Sequence, residues 1–204
     1  MFYTFVVFIL YLICKIFFRL KIYGRENFPK SGALIVAANH VSFFDPIIVG
    51  VSAPRTLIYL ARETLFKYKV FAKILNWVYT FPLKREGADL RAFRLAIGKL
   101  QEGFAVLVFP EGTRSKDGDF QEPKTGIGFL NTVSGADILP CYVKGSFEAW
   151  PRDSRFPRCR PVSVYFGKVL RFDKKDSSIH KKERYEEISK CVMAAIRELK
   201  ENAD

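Results

Sequence analysis

The sequence lacks the motifs that announce a phosphate loop or a covalent nucleophile. It has no Walker A stretch, no Gly-x-Gly-x-x-Gly turn and no Gly-x-Ser-x-Gly elbow. An acyl-enzyme route therefore has no evident nucleophile. Cysteine is scarce: Cys14, Cys141, Cys159 and Cys191 are scattered, with no Cys-x-x-Cys pair and no Cys/His cluster. That pattern argues against a disulfide framework and a zinc site, and it fits a reducing compartment. No cofactor or metal is expected. Acidic residues are in the minority, 21 Asp and Glu against 33 Lys and Arg, for a net charge of +12. No internal repeat and no Ser/Gly-rich linker divides the 204 residues, a length that suits one domain. The chain is instead rich in apolar side chains, 49% of the total with 20 Phe, so it can bury a core. A basic chain with surplus aromatic surface fits an anionic membrane or a nucleic acid. No nucleic-acid motif accompanies the charge, so no nucleic-acid partner is expected.

Residues 1–14 carry no charged side chain. Apolar character resumes after Lys15 with Ile16, Phe17 and Phe18, before Arg19 and Lys21. A spanning helix needs roughly 17–25 residues, a length reached here only if Lys15 snorkels to the interface. A cleaved signal would need basic residues before the apolar run and small ones after it, and neither is present. Residues 1–20 are thus expected to form an apolar membrane helix, either a short spanning anchor or a helix lying in the interface, followed by a catalytic domain over 21–204. Lys15, Arg19, Lys21 and Arg25 place that domain on the cytoplasmic face, the inner membrane in a bacterium.

Beyond residue 30, short β-type runs alternate with helical patterns. Strands are expected at Ala33–Ala38, Thr56–Leu60, Val78–Leu83, Ala105–Phe109, Ile138–Val143 and Pro161–Phe166. Helices are expected from Asp45-Pro46 onward, over Glu63–Trp77 and Ala88–Gln101, and at the C-terminus, where Tyr185, Ile188, Val192, Ile196 and Leu199 share a face. The alternation predicts a single α/β domain with a mixed, largely parallel sheet flanked by helices.

The chain has two histidines. His180 lies among Lys181, Lys182 and Glu183 and reads as surface. His40 follows a buried strand, at the end where α/β sites collect. Asp45 is its natural partner. Neither a helix nor a strand brings residues five apart together, but an irregular turn does, and Pro46 restricts Asp45 to extended geometry. Asp45 could hold one ring nitrogen protonated and leave the other as a base, or it could cap the helix that Pro46 begins. The two roles are not exclusive. A second cluster, Phe109-Pro110-Glu111-Gly112-Thr113-Arg114-Ser115, follows another buried strand. Gly112 allows close backbone approach, Arg114 offers a fork matched to phosphate, and Glu111 could orient that guanidinium or accept from a substrate hydroxyl. A base, its orienter and a cationic anion site are the parts needed to activate a hydroxyl that itself attacks.

Asn39-His40-x4-Asp45 and Phe109–Ser115 resemble the first and third signature blocks of the glycerolipid acyltransferases, and among these the 1-acyl-sn-glycerol-3-phosphate acyltransferases. Phe81-Pro82-Leu83-Lys84-Arg85 resembles the second block and Ile138-Leu139-Pro140 the fourth. Pro123-Lys124-Thr125-Gly126 is similar to the basic step after the third. The resemblance spans roughly residues 30–145. It implies a glycerol-3-phosphate acyltransferase-like fold, and transfer of an acyl chain from a thioester, either acyl-CoA or acyl carrier protein, to the sn-2 hydroxyl of lysophosphatidate. In that reading His40 is the general base and Asp45 orients it. Glu111, Gly112, Thr113 and Arg114 bind the acceptor phosphate, with Arg85 and Lys124 as further basic contacts. Oxyanion donors are expected among backbone amides near His40 or at the start of the Pro46 helix. Two positions depart from the pattern. Tyr79 stands where the second block often has glycine, and Cys141 replaces an aliphatic residue.

The stretch 144–175 holds nine Lys and Arg against three Asp and Glu. Arg152, Arg155, Arg158 and Arg160 alternate there with Trp150 and Phe156, which suits an anionic membrane surface or an acidic acyl carrier protein. Glu63–Trp77, with Phe66, Phe71 and Trp77 among Lys67, Lys69 and Lys73, is a second candidate contact. Rival readings are acyl transfer to another lysolipid or an amine-bearing lipid, and a non-enzymatic lipid- or nucleic-acid-binding protein.

Overall fold

The computed structural model describes residues 2–83, 90–173 and 181–203. Seven strands form one sheet: β1 Lys21–Tyr23, β2 Leu34–Ala38, β3 Leu57–Arg62, β4 Thr80–Leu83, β5 Ala105–Val108, β6 Asp137–Lys144 and β7 Ser163–Phe166. Their order is β1-β7-β6-β2-β5-β3-β4. Every neighbouring pair is parallel except β6 and β7, so the sheet is mixed and largely parallel as expected. The central strand β2 is buried on both faces along its whole length, which explains its unbroken apolar run.

Alternation along the strands feeds two cores. Leu34, Val36, Ala38, Leu107, Leu139 and Cys141 face α1 (Phe2–Phe17) and α2 (Asp45–Ser52). Ile35, Ala37, Val106 and Ile138 face α4 (Leu90–Gln101), α5 (Gly126–Ser134) and α7 (Lys181–Glu201). The result is a helix–sheet–helix sandwich, with the loops after β2 and β5 at one end.

The expected helix over Glu63–Trp77 divides into a 3-10 turn, Glu63–Lys67, and α3, Lys69–Trp77, with Tyr68 extended at φ −90° and ψ 111°. Its apolar stripe is not received by a core: Leu65, Val70, Ile74 and Trp77 are exposed and Phe66 is only half-buried. No core therefore holds the stripe in one continuous helix. The strand expected from Val78 begins at Thr80, because Tyr79 sits at φ +56° in a turn. Three elements carried no sequence signal, β1, α5 and α6 (Ser146–Ala149).

The first helix as described is shorter than the spanning reading of the N-terminus requires. The first helix has 16 residues, about 24 Å at 1.5 Å per residue, short of the roughly 30 Å hydrocarbon layer. Among the described residues no helix is long and apolar enough to cross a membrane. One face of α1 packs onto the domain through Val7, Leu10, Tyr11 and buried Cys14, and Phe18 just beyond the helix meets Phe44 edge-on at 4.5 Å. Burial pushes the Cys14 thiol pKa up to about 11. Phe5, Phe8, Ile9, Leu12, Ile13, Ile16 and Phe17 point outward.

Candidate active site

The chain leaves β2 at Ala38, and Asn39 fastens that strand end. Its side chain donates to the Val143 carbonyl at 3.1 Å and accepts from the Val143 N–H at 2.8 Å, tying β2 to β6. The next residue, His40, is thereby presented from a fixed strand end. Its Nδ1 lies 2.9 Å from Asp45 Oδ2. The same oxygen accepts the N–H groups of Val41 at 2.8 Å and Ser42 at 2.7 Å.

Asp45 is therefore tied back to the loop before it and makes no side-chain cap to the helix it opens. Fully buried, it gathers three donors on one oxygen and lies at the positive end of α2. Oδ2 already accepts two backbone N–H groups, and in the same accepting role toward the ring it takes Nδ1 as donor and leaves Nε2 as the accepting nitrogen. The imidazole stacks on Phe109 at 3.8 Å between centroids, and its side chain is 17% exposed. Phe109 against one flat side and Asp45 at Nδ1 hold the ring in place.

Glu111 bridges the two loops. Its Oε1 accepts the backbone N–H of His40 at 3.0 Å, and its Oε2 accepts from the Gln121 backbone and side chain. At 1% exposure it works as a brace between the loops. Burial pushes its carboxyl pKa up, and the N–H donors of His40 and Gln121 pull it part of the way back. A return contact, Ser115 N–H to the His40 carbonyl at 2.8 Å, completes the junction.

Gly112 turns at φ +69°, and a side chain there would meet the Lys124 stem, with Cδ 2.9 Å from the added carbon. Lys124 thus lies across Gly112, while its own N–H donates to the Pro110 carbonyl. Arg114 lies over the exposed ring of Phe43, 3.4 Å from its centroid, so a residue of the His40–Asp45 loop is its platform. Arg114 and Thr113 also border an open hollow of about 310 Å³. Together the structure gathers His40, Asp45, Glu111, Gly112, Thr113, Arg114 and Lys124 around the ends of β2 and β5. Arg85 and His180 lie outside the described residues. The fourth block is a buried strand segment in β6, paired to β2, and touches the site through the sheet.

Four of the expected backbone donors near His40 are already engaged. The N–H groups of His40, Val41 and Ser42 bond to carboxylates, and that of Phe44 to Ser42 Oγ. Sequence reasoning missed Ser42, whose hydroxyl donates to the Trp150 carbonyl at 2.6 Å, and Gln121. Neither carries a motif signal, because each acts through a partner distant in the chain.

The family described as Acyltransferase matches residues 19–144. A 1-acyl-sn-glycerol-3-phosphate acyltransferase of Bacillus subtilis is 31% identical over 61% of this chain and 62% of its own length. The chloroplast enzyme of the same name from Arabidopsis thaliana is 28% identical over 68% of this chain and 39% of its own. This chain therefore spans less than two thirds of either relative. The solved lysophosphatidate acyltransferase PlsC of Thermotoga maritima superposes with a TM-score of 0.78 at 25% identity, covering 98% of this chain and 81% of that one.

Proposed function

The chain belongs to the acyltransferase family, and on that premise we propose that it moves an acyl group from a thioester to the sn-2 hydroxyl of lysophosphatidate, making phosphatidate for phospholipid synthesis. The observation that carries this reading is the His40 Nδ1 to Asp45 Oδ2 contact of 2.9 Å, beside the cations Arg114 and Lys124. His40 Nε2 takes the proton of the acceptor hydroxyl as its oxygen attacks the thioester carbonyl. The C–O bond forms, the C–S bond breaks, and the imidazolium returns its proton to the departing thiolate. Asp45 stabilises the imidazolium in between. No covalent enzyme intermediate is required. Arg114 and Lys124 bind the acceptor phosphate, which carries about −1.5 to −2 near neutrality if it behaves as other monoesters do.

The outward apolar face of α1 and the exposed stripe of α3 support attachment to an anionic membrane at its cytoplasmic surface, lying in the interface. The two regions adjoin where Tyr3 of α1 meets Tyr79 edge-on at 5.4 Å. The thioester is a coenzyme A ester or an acyl carrier protein.

The test is direct. Purified protein is mixed with an acyl thioester and lysophosphatidate, and thiol release and phosphatidate are followed together. His40→Ala abolishes both while the circular dichroism spectrum and melting curve persist; a variant keeping the wild-type rate would refute the base assignment. Repeating the assay with lysophosphatidylcholine and lysophosphatidylethanolamine tells whether the phosphate monoester is what the site selects.

A further inference from the structure

Arg152 belongs to none of the four sequence blocks, yet it borders the same hollow as Arg114 and Lys116. Its position is set from the catalytic loop. Ser42, whose N–H bonds to Asp45, donates its hydroxyl to the Trp150 carbonyl, and the Phe43 and Trp150 rings lie 5.9 Å apart. Trp150 Nε1 donates onward to the Ser154 carbonyl at 3.0 Å, closing the turn that holds Arg152. A cation is thus carried to the His40 loop by a segment more than a hundred residues away.

The hollow gathers the positive charges of Arg114, Lys116 and Arg152 against one carboxylate, Asp117. That carboxylate is occupied with its own turn, accepting from Ser115 Oγ at 2.8 Å and from the Asp119 N–H at 3.1 Å. Its pKa is lowered by these same bonds. An anion that enters this open space meets three like charges. Resting on the function proposed above, we infer that Arg152, with Lys116, completes the phosphate site that Arg114 begins, and that Arg152 sets the preference for acceptors bearing a phosphate monoester. Arg114 supplies a planar fork fixed on Phe43, and Arg152 reaches the phosphate from the segment after β6, at the same end of the parallel strands.

The test compares wild type, Arg152→Gln and Arg152→Lys, with each substrate varied while the other is saturating. Loss of one charge-assisted contact raises the KM for lysophosphatidate about tenfold or more. The KM for the thioester and the rate on monoacylglycerol, which lacks the phosphate, stay within about twofold of wild type. Arg152→Lys recovers most of the loss. An unchanged acceptor KM in Arg152→Gln overturns the assignment, and so does a rise confined to the thioester KM, which would give the hollow to the donor. Should wild type fail to acylate lysophosphatidate at all, the proposed function falls and the anion site is read separately. Inorganic phosphate is then titrated and its 31P line width followed: weaker binding by Arg152→Gln upholds the site, and equal binding by both proteins removes it.

Discussion

The Glu111 carboxylate accepts the backbone N–H of His40 at 3.0 Å across 71 residues of sequence. Burial is the main influence on that carboxyl and raises its pKa, so the native protein keeps the proton to a higher pH than the unfolded chain, whose Glu titrates near about 4.3. Where the native state binds more protons, stability falls as pH rises. Wild-type stability relative to Glu111→Gln should therefore decline as pH climbs from about 4.3 through the native value, and level off above it. Urea unfolding of both proteins at several pH values between 4 and 8 reads this difference. A gap that widens with pH would mean the N–H donors outweigh burial.

Asp45 serves the histidine and the loop with a single oxygen, and two substitutions separate these duties. Asp45→Asn keeps the shape but loses the charge that fixes the imidazole tautomer, so kcat should fall by about 10²–10⁴ with the fold retained. Asp45→Ala also strands the buried N–H groups of Val41 and Ser42, at about 1–3 kcal/mol for each orphaned donor. The alanine variant should melt well below the asparagine variant while both are nearly inactive. Equal melting temperatures would show that water replaces the carboxylate in the loop.

What could be read from the sequence was local. His40 and Asp45 are five residues apart with Pro46 to shape the turn, and buried strands such as β2 show as unbroken apolar runs. The braces were invisible because each joins distant segments: Asn39 to Val143, Glu111 to His40, Ser42 to Trp150. The Glu111 motif was legible as polar and functional, but only coordinates show that it faces the adjoining loop. The helix α5, GIGFLNTVS, is poor in strong helix formers. It exists because Ile127 and Leu130 are buried in the core it shares with α4 and α7. The division at Tyr68 went unseen because periodicity marks an apolar stripe and says nothing of whether a core receives it.

Tyr79 holds φ +56°, and its carbonyl accepts the Tyr59 N–H at 3.0 Å, which fixes the turn. A residue with a Cβ in this left-handed region costs about 1–2 kcal/mol, a cost that glycine does not carry. Tyr79→Gly and Tyr79→Ala both lose the ring contact with Tyr3, but only alanine keeps the backbone cost. The glycine variant should be the more stable by about 1 kcal/mol, seen as a higher urea midpoint at equal slope. Identical midpoints would show that the turn relaxes out of the left-handed region.

The 16 described residues of α1 are fewer than a bilayer-crossing helix needs, and Ile16 is 70% exposed and Phe8 55%, on the side away from Cys14. Such a surface gains by lying at the boundary between headgroups and acyl chains, where each large side chain contributes about 1.5–3 kcal/mol on burial. Lys15, Arg19 and Lys21 add attraction to an anionic leaflet, and that part should weaken with salt as the Debye length shrinks from about 10 Å at 0.1 M to 3 Å at 1 M. Phe8→Ser with Ile16→Ser should therefore cut sedimentation with phosphatidylglycerol-containing vesicles at least tenfold, while 1 M NaCl lowers wild-type binding only in part. The melting curve should hold, because neither side chain contributes to the packed face of α1. If the double variant still sediments as wild type does, the apolar face of α1 is not the attachment surface, and the exposed stripe of α3 becomes the surface to alter next.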